Sequence, residues 1–477
     1  MNDDGMTSKK GENFSEWYSQ AVQKGELADY GPIQGTIAFR PYSYEIWEMI
    51  QKEFDARIKK LGHKNAYFPL LIPESLLDKE AEHFETFVPE VFWVAYNGNA
   101  KLAEKYAVRP TSETIIYYFM SKWIRSWRDL PLLLNQWCNV LRAEIKATKP
   151  FIRTSEFLWQ EGHTAHATKE EAEKEVFTIL SIYKEIVEGL LAVPVIIGKK
   201  SEMEKFAGAV YTTTLEAMMP DGKALQCGTS HFLGQNFSKP FEVSFLDKEE
   251  KNDFVYTTSW GISTRLLGAL IMVHGDDKGL VLPPKVAPIQ AVIVPIYYNE
   301  QDKKRILGEA EKIKEELGGI RIEMDTREGY TPGWKFNYWE LRGVPLRIEI
   351  GPKDIENNQV VISKRIDGKK EKVGRSELKQ RIKEELENEQ EQMFKKARAS
   401  LDGSITQVRT FDEFKKVLET KMGFIKVSWC ASKECEEGIK NETTATCRAI
   451  PFGEQVFSDC VYCGKKAIEV AFFAKSY

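Results

Sequence analysis

Three short segments of this 477-residue chain combine arginine, carboxylate, aromatic and histidine side chains. They are Arg109–Glu113, Arg142–His163 and Ser259–Arg265. In the middle segment Arg142 and Glu144 stand two residues apart, a spacing that places both side chains on one face of a strand. The same period of two continues through Arg153, Ser155, Phe157, Trp159, Glu161 and His163. The sequence therefore predicts two antiparallel strands that share one polar, aromatic face.

Such a face has the chemistry that a nucleotide requires. Guanidinium groups bind phosphate oxygens through paired hydrogen bonds, and aromatic rings suit a purine base. Cross-strand ion pairing is the alternative, because opposite charges on adjacent strands also stabilise a sheet. Both interpretations stay open at this point. Taken singly, His163 or His231 is more typical of a structural histidine, and Cys227 is more typical of a pocket wall than of a nucleophile.

Five of the seven cysteines are crowded into one stretch near the C-terminus, from Cys430 to Cys463. Cys430 and Cys435 form a first pair, and Cys460 and Cys463 form a second pair after a longer interval. Such spacing is close to that of a structural zinc site. Four thiolates leave no open coordination position, so this zinc would stabilise the fold and would not catalyse. Cys447 is interpreted as a free thiol in the core, although an exchange with one of the four is an open alternative, and unligated buried thiols are the other.

The elements that must position these residues follow from length and pattern. A chain of 477 residues corresponds to about three domains. We predict domains over residues 1–283, 284–399 and 400–477. In the first of them, apolar residues at helical spacing predict a helix over Pro41–Leu61, and a strand is predicted over Ala66–Ile72.

The second domain has the clearest alternation of strands and helices, over about 90 residues. Helices are predicted over Glu300–Leu317 and Gly333–Arg342. Predicted strands cover Gln290–Ile296, Ile320–Met324, Pro345–Ile350 and Val360–Ser363. The pattern indicates a separate α/β domain of roughly five strands, followed by a charged connecting helix over Gly374–Ala399.

Charge is distributed unevenly along the chain. The formal net charge is −4, and residues 1–283 carry 32 basic and 39 acidic groups, against 17 and 15 in residues 284–374. A small acidic excess excludes a histone-like polycation but does not exclude nucleic-acid binding. The polar first ten residues predict no signal peptide, and the apolar runs are too short to span a bilayer. We therefore expect a cytoplasmic protein with no membrane partner.

Taken in this order, the motifs resemble those of class II aminoacyl-tRNA synthetases, specifically the prolyl-tRNA synthetases of the archaeal and eukaryotic type. Gly62–Pro69 resembles motif 1, Arg142–Glu144 with Arg153–Phe157 resembles motif 2, and Gly261–Arg265 resembles motif 3. The resemblance implies an α/β fold class: an α+β catalytic domain with an antiparallel sheet flanked by helices, an α/β anticodon-binding domain, and a small C-terminal α/β zinc domain. It also implies a homodimer built on motif 1.

The resemblance assigns residues to ATP. Arg142 would hold the α-phosphate, Arg153 and Arg265 would reach the outer phosphates, and Glu144 would read the adenine amino group. The three arginines, with Mg²⁺, are the implied catalysts, because attack of a carboxylate on phosphorus needs charge neutralisation and alignment more than proton transfer. The implied ATP-binding residues are Arg142, Glu144, Arg153, Thr154, Phe157, Gln226, Thr229, Ser263 and Arg265.

The segment Arg109–Glu113 resembles a loop that recognises the secondary ammonium of proline. The implied proline-binding residues are Thr111, Glu113, Arg142, Trp159, Glu161, His163, Phe206 and His231. One missing methylene changes binding by only about 1–3 kcal/mol, so alanine should be misactivated. Because the interval between His163 and Gln226 is short, we expect no editing domain in the chain.

The second domain resembles a class IIa anticodon-binding domain, in which bases of a splayed loop are read by hydrogen bonds and stacking. The implied readers of the tRNA(Pro) anticodon are Glu340, Arg347, Lys353 and Asp354. Phe336 and Trp339 are three residues apart on a predicted helix and are interpreted as core residues. The chain ends in tyrosine, as this family does, and the carboxylate of Tyr477 is implied to reach the active-site region.

The implied activity is that of a proline–tRNA ligase, which uses ATP to form prolyl-adenylate and then charges tRNA(Pro). A synthetase for threonine or glycine is the alternative enzyme. A threonine enzyme would need a zinc ion that binds the substrate, and the neighbourhood of Cys227 offers no adequate set of ligands. A non-catalytic tRNA-binding relative is the alternative from another class. Such relatives usually lose the phosphate-binding arginines, which this chain retains.

Overall fold

The computed structural model describes residues 5–81, 90–145 and 147–477. Residues 1–4, 82–89 and 146, all inside the predicted first domain, lie outside the described part. None of the helices in the described ranges has the length and apolar character needed to cross a membrane. The helices are α1 (Phe14–Lys24), α2 (Pro41–Lys60), α3 (Glu74–Ala81), α4 (Glu113–Trp123), α5 (Lys169–Lys184), α6 (Arg265–His274), α7 (Glu300–Glu316), α8 (Pro332–Leu341), α9 (Pro352–Glu356), α10 (Leu378–Gly403), α11 (Phe411–Thr420) and α12 (Lys433–Thr443).

The strands run from β1 to β23 in chain order. They are β1 (Ala28–Tyr30), β2 (Ile37–Phe39), β3 (Lys64–Asn65), β4 (Leu71–Pro73), β5 (Trp93–Asn97), β6 (Ala100–Val108), β7 (Leu132–Leu141), β8 (Glu156–His166), β9 (Ile196–Lys199), β10 (Tyr211–Met218), β11 (Ala224–Gly234), β12 (Ser244–Leu246), β13 (Asn252–Phe254), β14 (Tyr256–Ser263), β15 (Ala291–Pro295), β16 (Ile322–Met324), β17 (Leu346–Ile350), β18 (Gln359–Lys364), β19 (Lys370–Gly374), β20 (Ile405–Gln407), β21 (Phe424–Trp429), β22 (Thr446–Pro451) and β23 (Glu469–Ala474).

A large sheet forms the frame of the molecule. Its eleven strands follow the order β20-β21-β23-β22-β9-β10-β11-β14-β8-β7-β3, and all neighbours from β21 to β7 are antiparallel. Helices α2, α5 and α6 cover one face with a core that includes Trp47, Phe54, Tyr183, Trp260 and Leu270. The predicted antiparallel sheet flanked by helices is confirmed.

The motif 1 region agrees with the predicted helix but not with the predicted strand. Proline at the first position suits a helix start, and α2 ends one residue before the predicted limit. The predicted strand over Ala66–Ile72 is wrong, since only β3 and β4 are strands there. The N–H of Ala66 donates to the Asn135 carbonyl at 2.8 Å, but that of Phe68 donates to the Gln136 side chain at 2.6 Å. Pro69 has no N–H to donate, so the ladder does not continue.

The second domain has five strands in the order β16-β15-β17-β18-β19, as predicted. Parallel pairing of β15 with β16 and β17 places α7 and α8 in the connections, as expected for βαβ units. Strand β19 was not among the predicted strands, because its sequence Lys370–Gly374 is mostly charged and exposed. The connecting helix is longer than predicted and extends as α10 to Gly403.

The C-terminal part is joined to the main sheet through its strands. Ile450 and Pro451 of β22 pair with Lys199 and Gly198 of β9, so β20–β23 extend the sheet that carries the central strands. A Cβ atom at Gly198 would overlap the Ile450 carbonyl oxygen, and glycine is what permits this close backbone approach. The strands of the third domain therefore continue the main sheet.

Candidate active site

A cavity of about 250 Å³ opens over the neighbouring strands β11, β14 and β8. It gathers predicted residues from all three chemical segments and from β11. The predicted residues that line it are Thr111, Glu113, Arg142, Phe157, Trp159, Glu161, His163, Phe206, Gln226, Thr229, His231, Ser263 and Arg265. Residues far apart in sequence thus face one space because these strands of the sheet are adjacent.

Strand register sets the floor of this cavity. Side chains of directly opposed residues lie on the same face of a sheet, so two rows cross the three strands. The rows are Glu161, Gly261 and Thr229, followed by His163, Ser259 and His231. The glycine leaves the middle of the first row without a side chain, and the ring of Trp159 lies next to that position.

Two arginines contribute positive charge to the cavity. The Nε of Arg142 donates to the Pro110 carbonyl at 3.3 Å, and its guanidinium lies 5.2 Å from the centroid of the Phe157 ring. Arg265, the first residue of α6, donates to the carbonyls of Ile152 at 3.2 Å and Gln226 at 3.4 Å. Burial, with the nearby charge of Arg142, lowers the pKa of Arg265 to about 10, which leaves it cationic at neutral pH. Two like charges in one cavity favour an anionic ligand.

Ion pairing does not account for these arginines. Within the described residues, no carboxylate oxygen lies within 4.0 Å of the guanidinium groups of Arg142, Arg153 or Arg265, whereas Glu161 pairs with His163. Cross-strand ion pairing is therefore not the role of these three arginines within the described part of the chain. The cations remain available for phosphate oxygens.

The predicted strand positions in the motif 2 region are partly wrong. Strand β7 ends at Leu141 and β8 begins at Glu156, so Arg142, Glu144 and Arg153 lie in the connection. The N–H of Arg142 still donates to the Ser155 carbonyl at 2.8 Å, but beyond that bond the chain turns away. Glu144 and Arg153 are exposed and Thr154 is buried, and none of these three lines the cavity. Their proposed contacts with ATP stay predictions.

Glu161 is the most firmly held carboxylate of the site. It accepts hydrogen bonds from Gln136 Nε2 at 2.8 Å, from the Ser112 hydroxyl and N–H, and from the Cys138 thiol. Burial alone would raise the pKa of Glu161, but its bond to His163 and these donors lower that pKa below its ordinary value. The pKa of His163 is raised by the same bond despite burial. The pair therefore presents a fixed charge arrangement at the cavity floor.

The other lining residues include a hydroxyl, a second carboxylate and neutral rings. The Thr111 hydroxyl donates to the Glu113 carboxylate. Burial lowers the pKa of His231 to about 3, so its imidazole is neutral, and its centroid lies 4.8 Å from that of Phe206. Burial raises the pKa of the Cys227 thiol to about 12, which fits the predicted pocket wall and not a nucleophile.

Two buried polar atoms of the floor lack protein partners. Nδ1 of His163 and Oγ of Ser259 have no hydrogen-bond partner among the described residues, although both residues line the cavity. Buried polar groups are normally paired. A ligand or water in the cavity would satisfy them.

Several lining residues were absent from the predicted sites. These are Lys200, Glu204, Thr212, Gly228, Ser259, Trp260, Gly261 and Ile262. Those on β14 lie inside the segment Ser259–Arg265, from which only Ser263 and Arg265 were assigned to a site. Lys200 and Glu204 have no such signal, because they belong to the segment that follows β9 and reach the cavity only through the fold.

The predicted anticodon residues do not all share one surface. A groove of about 310 Å³ is lined by Phe336, Glu340, Arg347 and others. The Arg347 guanidinium lies 4.0 Å from the Phe336 ring centroid. Lys353 and Asp354 are not in that lining; they lie in α9, where the Asp354 carboxylate accepts the N–H of Gly351 at 2.9 Å. Phe336, interpreted from sequence as core, is thus half-buried at the groove.

Trp339 is a core residue, as interpreted from sequence. It is buried, and its Nε1 donates to the Asp325 carboxylate at 2.8 Å. This bond satisfies the indole N–H away from solvent, as expected for a buried tryptophan.

The four predicted zinc ligands meet in the C-terminal domain. The sulfur atoms of Cys430, Cys435, Cys460 and Cys463 all lie within 4.8 Å of one another. The Cys430 sulfur is 3.5 Å from that of Cys435 and 3.9 Å from that of Cys463. Cys447 lies in the apolar core, outside this group. This arrangement could hold a metal ion.

Tyr477 is anchored near the start of β11. Its hydroxyl donates to the Asp221 carboxylate at 2.6 Å, and its N–H donates to the Ala224 carbonyl at 3.3 Å. The ammonium of Lys149 lies 5.3 Å from its ring centroid. The last residue is thus packed against the catalytic sheet two positions from Gln226, but it does not line the cavity.

Comparison with known proteins identifies matching families over most of the chain. Residues 92–274 match the tRNA synthetase class II core domain (G, H, P, S and T), residues 290–385 the anticodon-binding domain, and residues 411–477 the prolyl-tRNA synthetase C-terminal domain. The proline–tRNA ligase of Cenarchaeum symbiosum is 55% identical over 475 residues, which cover 99% of each chain. That of Alkaliphilus oremlandii is 52% identical over 467 residues, 98% of this chain and 96% of its own. Proline–tRNA ligase 2 of Clostridioides difficile is 52% identical over 473 residues, 98% of each.

Proposed function

This chain belongs to the prolyl-tRNA synthetases of class II, and we propose that it activates L-proline with ATP and transfers the prolyl group to tRNA(Pro). One observation carries the chemical part of the proposal. A single cavity is lined by two arginines, Arg142 and Arg265, that have no carboxylate oxygen within 4.0 Å among the described residues, and by the carboxylates Glu113 and Glu161. The arginines match the phosphates and the carboxylates match the ammonium of an amino acid.

The reaction has two steps. A carboxylate oxygen of proline attacks the α-phosphorus of ATP, which forms prolyl-adenylate and releases pyrophosphate. A hydroxyl of the terminal adenosine of tRNA(Pro) then attacks the prolyl carbonyl carbon, and AMP leaves. The first step starts from a carboxylate that is already deprotonated, so positioned cations contribute more than a general base would.

The residues around ATP divide into two groups. Arg142 and Arg265 neutralise phosphate charge inside the cavity, and Phe157 offers a ring for the adenine. Thr229, Gln226 and Ser263 supply polar groups from the same floor. Glu144, Arg153 and Thr154 would act from the rim. The exposure of Arg153 and its lack of a carboxylate partner among the described residues support a contact with the outer phosphates.

Proline binding requires acceptors for a secondary ammonium and an apolar slot for the ring. Thr111 and Glu113 are proposed as the acceptors. The Glu161–His163 pair fixes the floor, and the unpartnered Nδ1 of His163 supports a contact with ligand. The slot would be completed by Trp159, Phe206, His231 and the stem of Arg142.

Recognition of tRNA(Pro) is proposed for the second domain. Glu340 and Arg347 line one groove and would read guanine edges there, while Lys353 and Asp354 would reach the anticodon from α9. In the described structure Glu340 accepts a bond from Lys278 at 2.8 Å. A guanine edge would therefore compete with the ammonium of this exposed lysine for the Glu340 carboxylate.

The cysteine group fits a structural zinc ion. Four sulfurs around zinc at about 2.3 Å in a tetrahedron stand about 3.8 Å apart, close to the 3.5 and 3.9 Å observed between three of them. Cys430, Cys435, Cys460 and Cys463 would hold the ion, which would stabilise the C-terminal domain. Mg²⁺ entering with ATP, a homodimer built on motif 1, and a cytoplasmic location complete the proposal.

Amino-acid-dependent exchange of pyrophosphate into ATP tests the proposal. The purified full chain is assayed with proline, threonine, glycine, alanine and cysteine in turn. We expect exchange with proline to exceed all others and a weaker reaction with alanine. Exchange with threonine or glycine alone would replace proline as the substrate, and no exchange with any amino acid would favour a non-catalytic tRNA-binding protein.

A further inference from the structure

A buried charge cluster joins the C-terminal domain to the wall of the cavity. It consists of Lys200, at the end of β9, Glu216 of β10 and Arg448 of β22, and we call it the junction cluster. The Lys200 ammonium donates to the Glu216 carboxylate at 2.6 Å and to the Arg448 carbonyl at 3.0 Å. Two guanidinium nitrogens of Arg448 donate to the same carboxylate at 2.9 and 3.1 Å. All three residues are less than one tenth exposed.

Strong electrostatic interactions hold the junction cluster together. Burial alone would raise the pKa of Glu216, but the two cations lower it below its ordinary value. Burial lowers the pKa of Lys200, and Glu216 opposes that effect. The Thr214 hydroxyl also donates to the carboxylate, at 3.0 Å. A buried ionic group of this kind is costly to break, because removing one member leaves a desolvated charge.

One member of the cluster is also part of the cavity. Lys200 lines it, as do Glu204 and Phe206 farther along the same segment. The segment is tied at its other end, where the Phe206 N–H donates to the Thr212 hydroxyl at 3.0 Å and that hydroxyl meets His231 Nδ1 at 2.8 Å. Residues 200–206 therefore form a wall that is fixed at both ends.

The C-terminal domain makes further contacts with this wall. The Ser201 hydroxyl donates to the Glu436 carboxylate at 2.6 Å. The Glu204 carboxylate lies 4.0 Å from Arg448 and 3.9 Å from Lys440. Three residues of the wall thus depend on side chains or backbone atoms from the far end of the sequence.

We propose that Arg448 is a positioning residue for the amino-acid end of the active site. Arg448 does not line the cavity itself. It acts by fixing the lining residues Lys200, through its own carbonyl and through Glu216, and Glu204. This inference rests on the proposed function, since it assigns the wall to the binding of proline. It gives the C-terminal domain a role in substrate affinity that is distinct from holding a metal ion.

The variant Arg448→Lys tests this role, because it keeps the charge but cannot form two parallel bonds to Glu216. Loss of one bond to a charged group should raise the KM for proline about tenfold in pyrophosphate exchange. The KM for ATP should stay within about twofold, because the arginines of the ATP side are held by other carbonyls. A general loss of folded protein would lower the rate but would not raise the KM for proline more than the KM for ATP.

Arg398→Lys is the matched control. Arg398 also bonds a distant carboxylate, that of Glu188 at 2.5 Å, but it lines no part of the cavity. Its proline KM should equal that of the wild type. If Arg448→Lys does not fold, Glu204→Gln replaces it and should raise the proline KM several-fold by removing the contacts with Arg448 and Lys440.

The outcomes separate this inference from the proposed function. A wild-type protein without proline-dependent exchange would overturn both. An active wild type with an unchanged proline KM in Arg448→Lys, or in Glu204→Gln where the first variant does not fold, would overturn the positioning role alone. Equal increases in the KM values for proline and ATP would also overturn it.

Discussion

At the scale of single residues, the cavity is defined by two arginines held by carbonyl groups. Arg142 and Arg265 donate to backbone oxygens of Pro110, Ile152 and Gln226, which fixes their position but does not neutralise their charge. Each arginine keeps donors for another acceptor. The repulsion between these two half-buried like charges is relieved when an anion enters, which supports the proposed role of both arginines in binding the phosphates of ATP.

Replacing Arg142 should separate catalysis from stability. Lysine at this position keeps a positive charge but loses the planar pair of donors. We expect Arg142→Lys to lower kcat for proline-dependent exchange by about 100-fold, the typical effect of removing one preorganised donor. Initial rates at saturating ATP and proline measure this.

Arg125→Lys provides the comparison, because Arg125 is exposed and its side chain bonds only to the Ser121 carbonyl among the described residues. It should leave kcat unchanged. Equal kcat values for Arg142→Lys and wild type would exclude Arg142 from phosphate stabilisation.

The pair Glu161–His163 predicts a pH window for stability. A carboxyl whose pKa is lowered stabilises the fold above about pH 4.3, and that stability is lost as pH falls through the folded pKa. An imidazole whose pKa is raised stabilises it below about pH 6.5, and that stability is lost as pH rises through its folded pKa. With both shifts present, the pair stabilises most between about pH 4.3 and 6.5. Thermal unfolding midpoints of His163→Gln and wild type should differ most in this window.

The variant His274→Gln should behave oppositely. Burial lowers the pKa of His274 to about 4, so the neutral imidazole makes the wild type less stable as pH falls below about 6.5. The difference between the thermal unfolding midpoints of the wild type and this variant should therefore become smaller below about pH 6.5. A pH-independent difference for His163→Gln would contradict the assigned charges of the pair.

At the scale of elements, prediction succeeded where the pattern was long and repetitive. Helix α2 and the alternating second domain were found within a few residues. The end of β7 was missed, because Arg142 and Glu144 continue the alternation of the strand although the chain has already turned. Lys200 and Glu204 could not be found, since the fold of β9 and β10 alone brings them to the cavity. The spacing of apolar residues along the sequence determines which segments form helices and strands. The pairing of strands that are distant in sequence determines which polar residues come together.

The C-terminal cysteines give a prediction at this scale. The full chain should contain one zinc ion, and Cys463→Ser should lose it, because three thiolates and a hydroxyl bind zinc more weakly than four thiolates. Metal analysis of the purified protein measures the zinc content, and thermal unfolding measures the lower stability of the C-terminal domain.

Cys447→Ala is the matched control for that experiment. Cys447 is buried but lies outside the sulfur group, so this variant should keep one zinc ion per chain. Zinc retained by Cys463→Ser at wild-type occupancy, or lost from Cys447→Ala, would show that the ligand set is wrong.

At the scale of the whole molecule, the eleven-stranded sheet makes one frame of two parts of the chain. Strands β20–β23 of the C-terminal part and the central strands of the cavity belong to it. The residues between His163 and Gln226 are used for α5, β9 and β10 and for the wall that carries Lys200. The net charge of −4 gave little indication of a nucleic-acid partner, since recognition depends on a few placed residues.

Because the residues between His163 and Gln226 form α5, β9, β10 and the wall, we expect no editing domain there, and this leads to a prediction about fidelity. We expect the purified chain to misactivate alanine and to leave alanyl-tRNA(Pro) intact, because a slot for proline discriminates weakly against a smaller side chain. Deacylation of preformed alanyl-tRNA(Pro) measures this. Rapid hydrolysis that depends on the chain would require an editing site that the proposal does not contain.

The central claim is tested most directly by charging tRNA(Pro) with radiolabelled proline, using the full chain, ATP and Mg²⁺. We predict that prolyl-tRNA(Pro) forms and that AMP accumulates in step with it, whereas a tRNA with a threonine anticodon is not charged. Absence of prolyl-tRNA(Pro) under conditions in which the chain charges another tRNA with another amino acid would contradict the account.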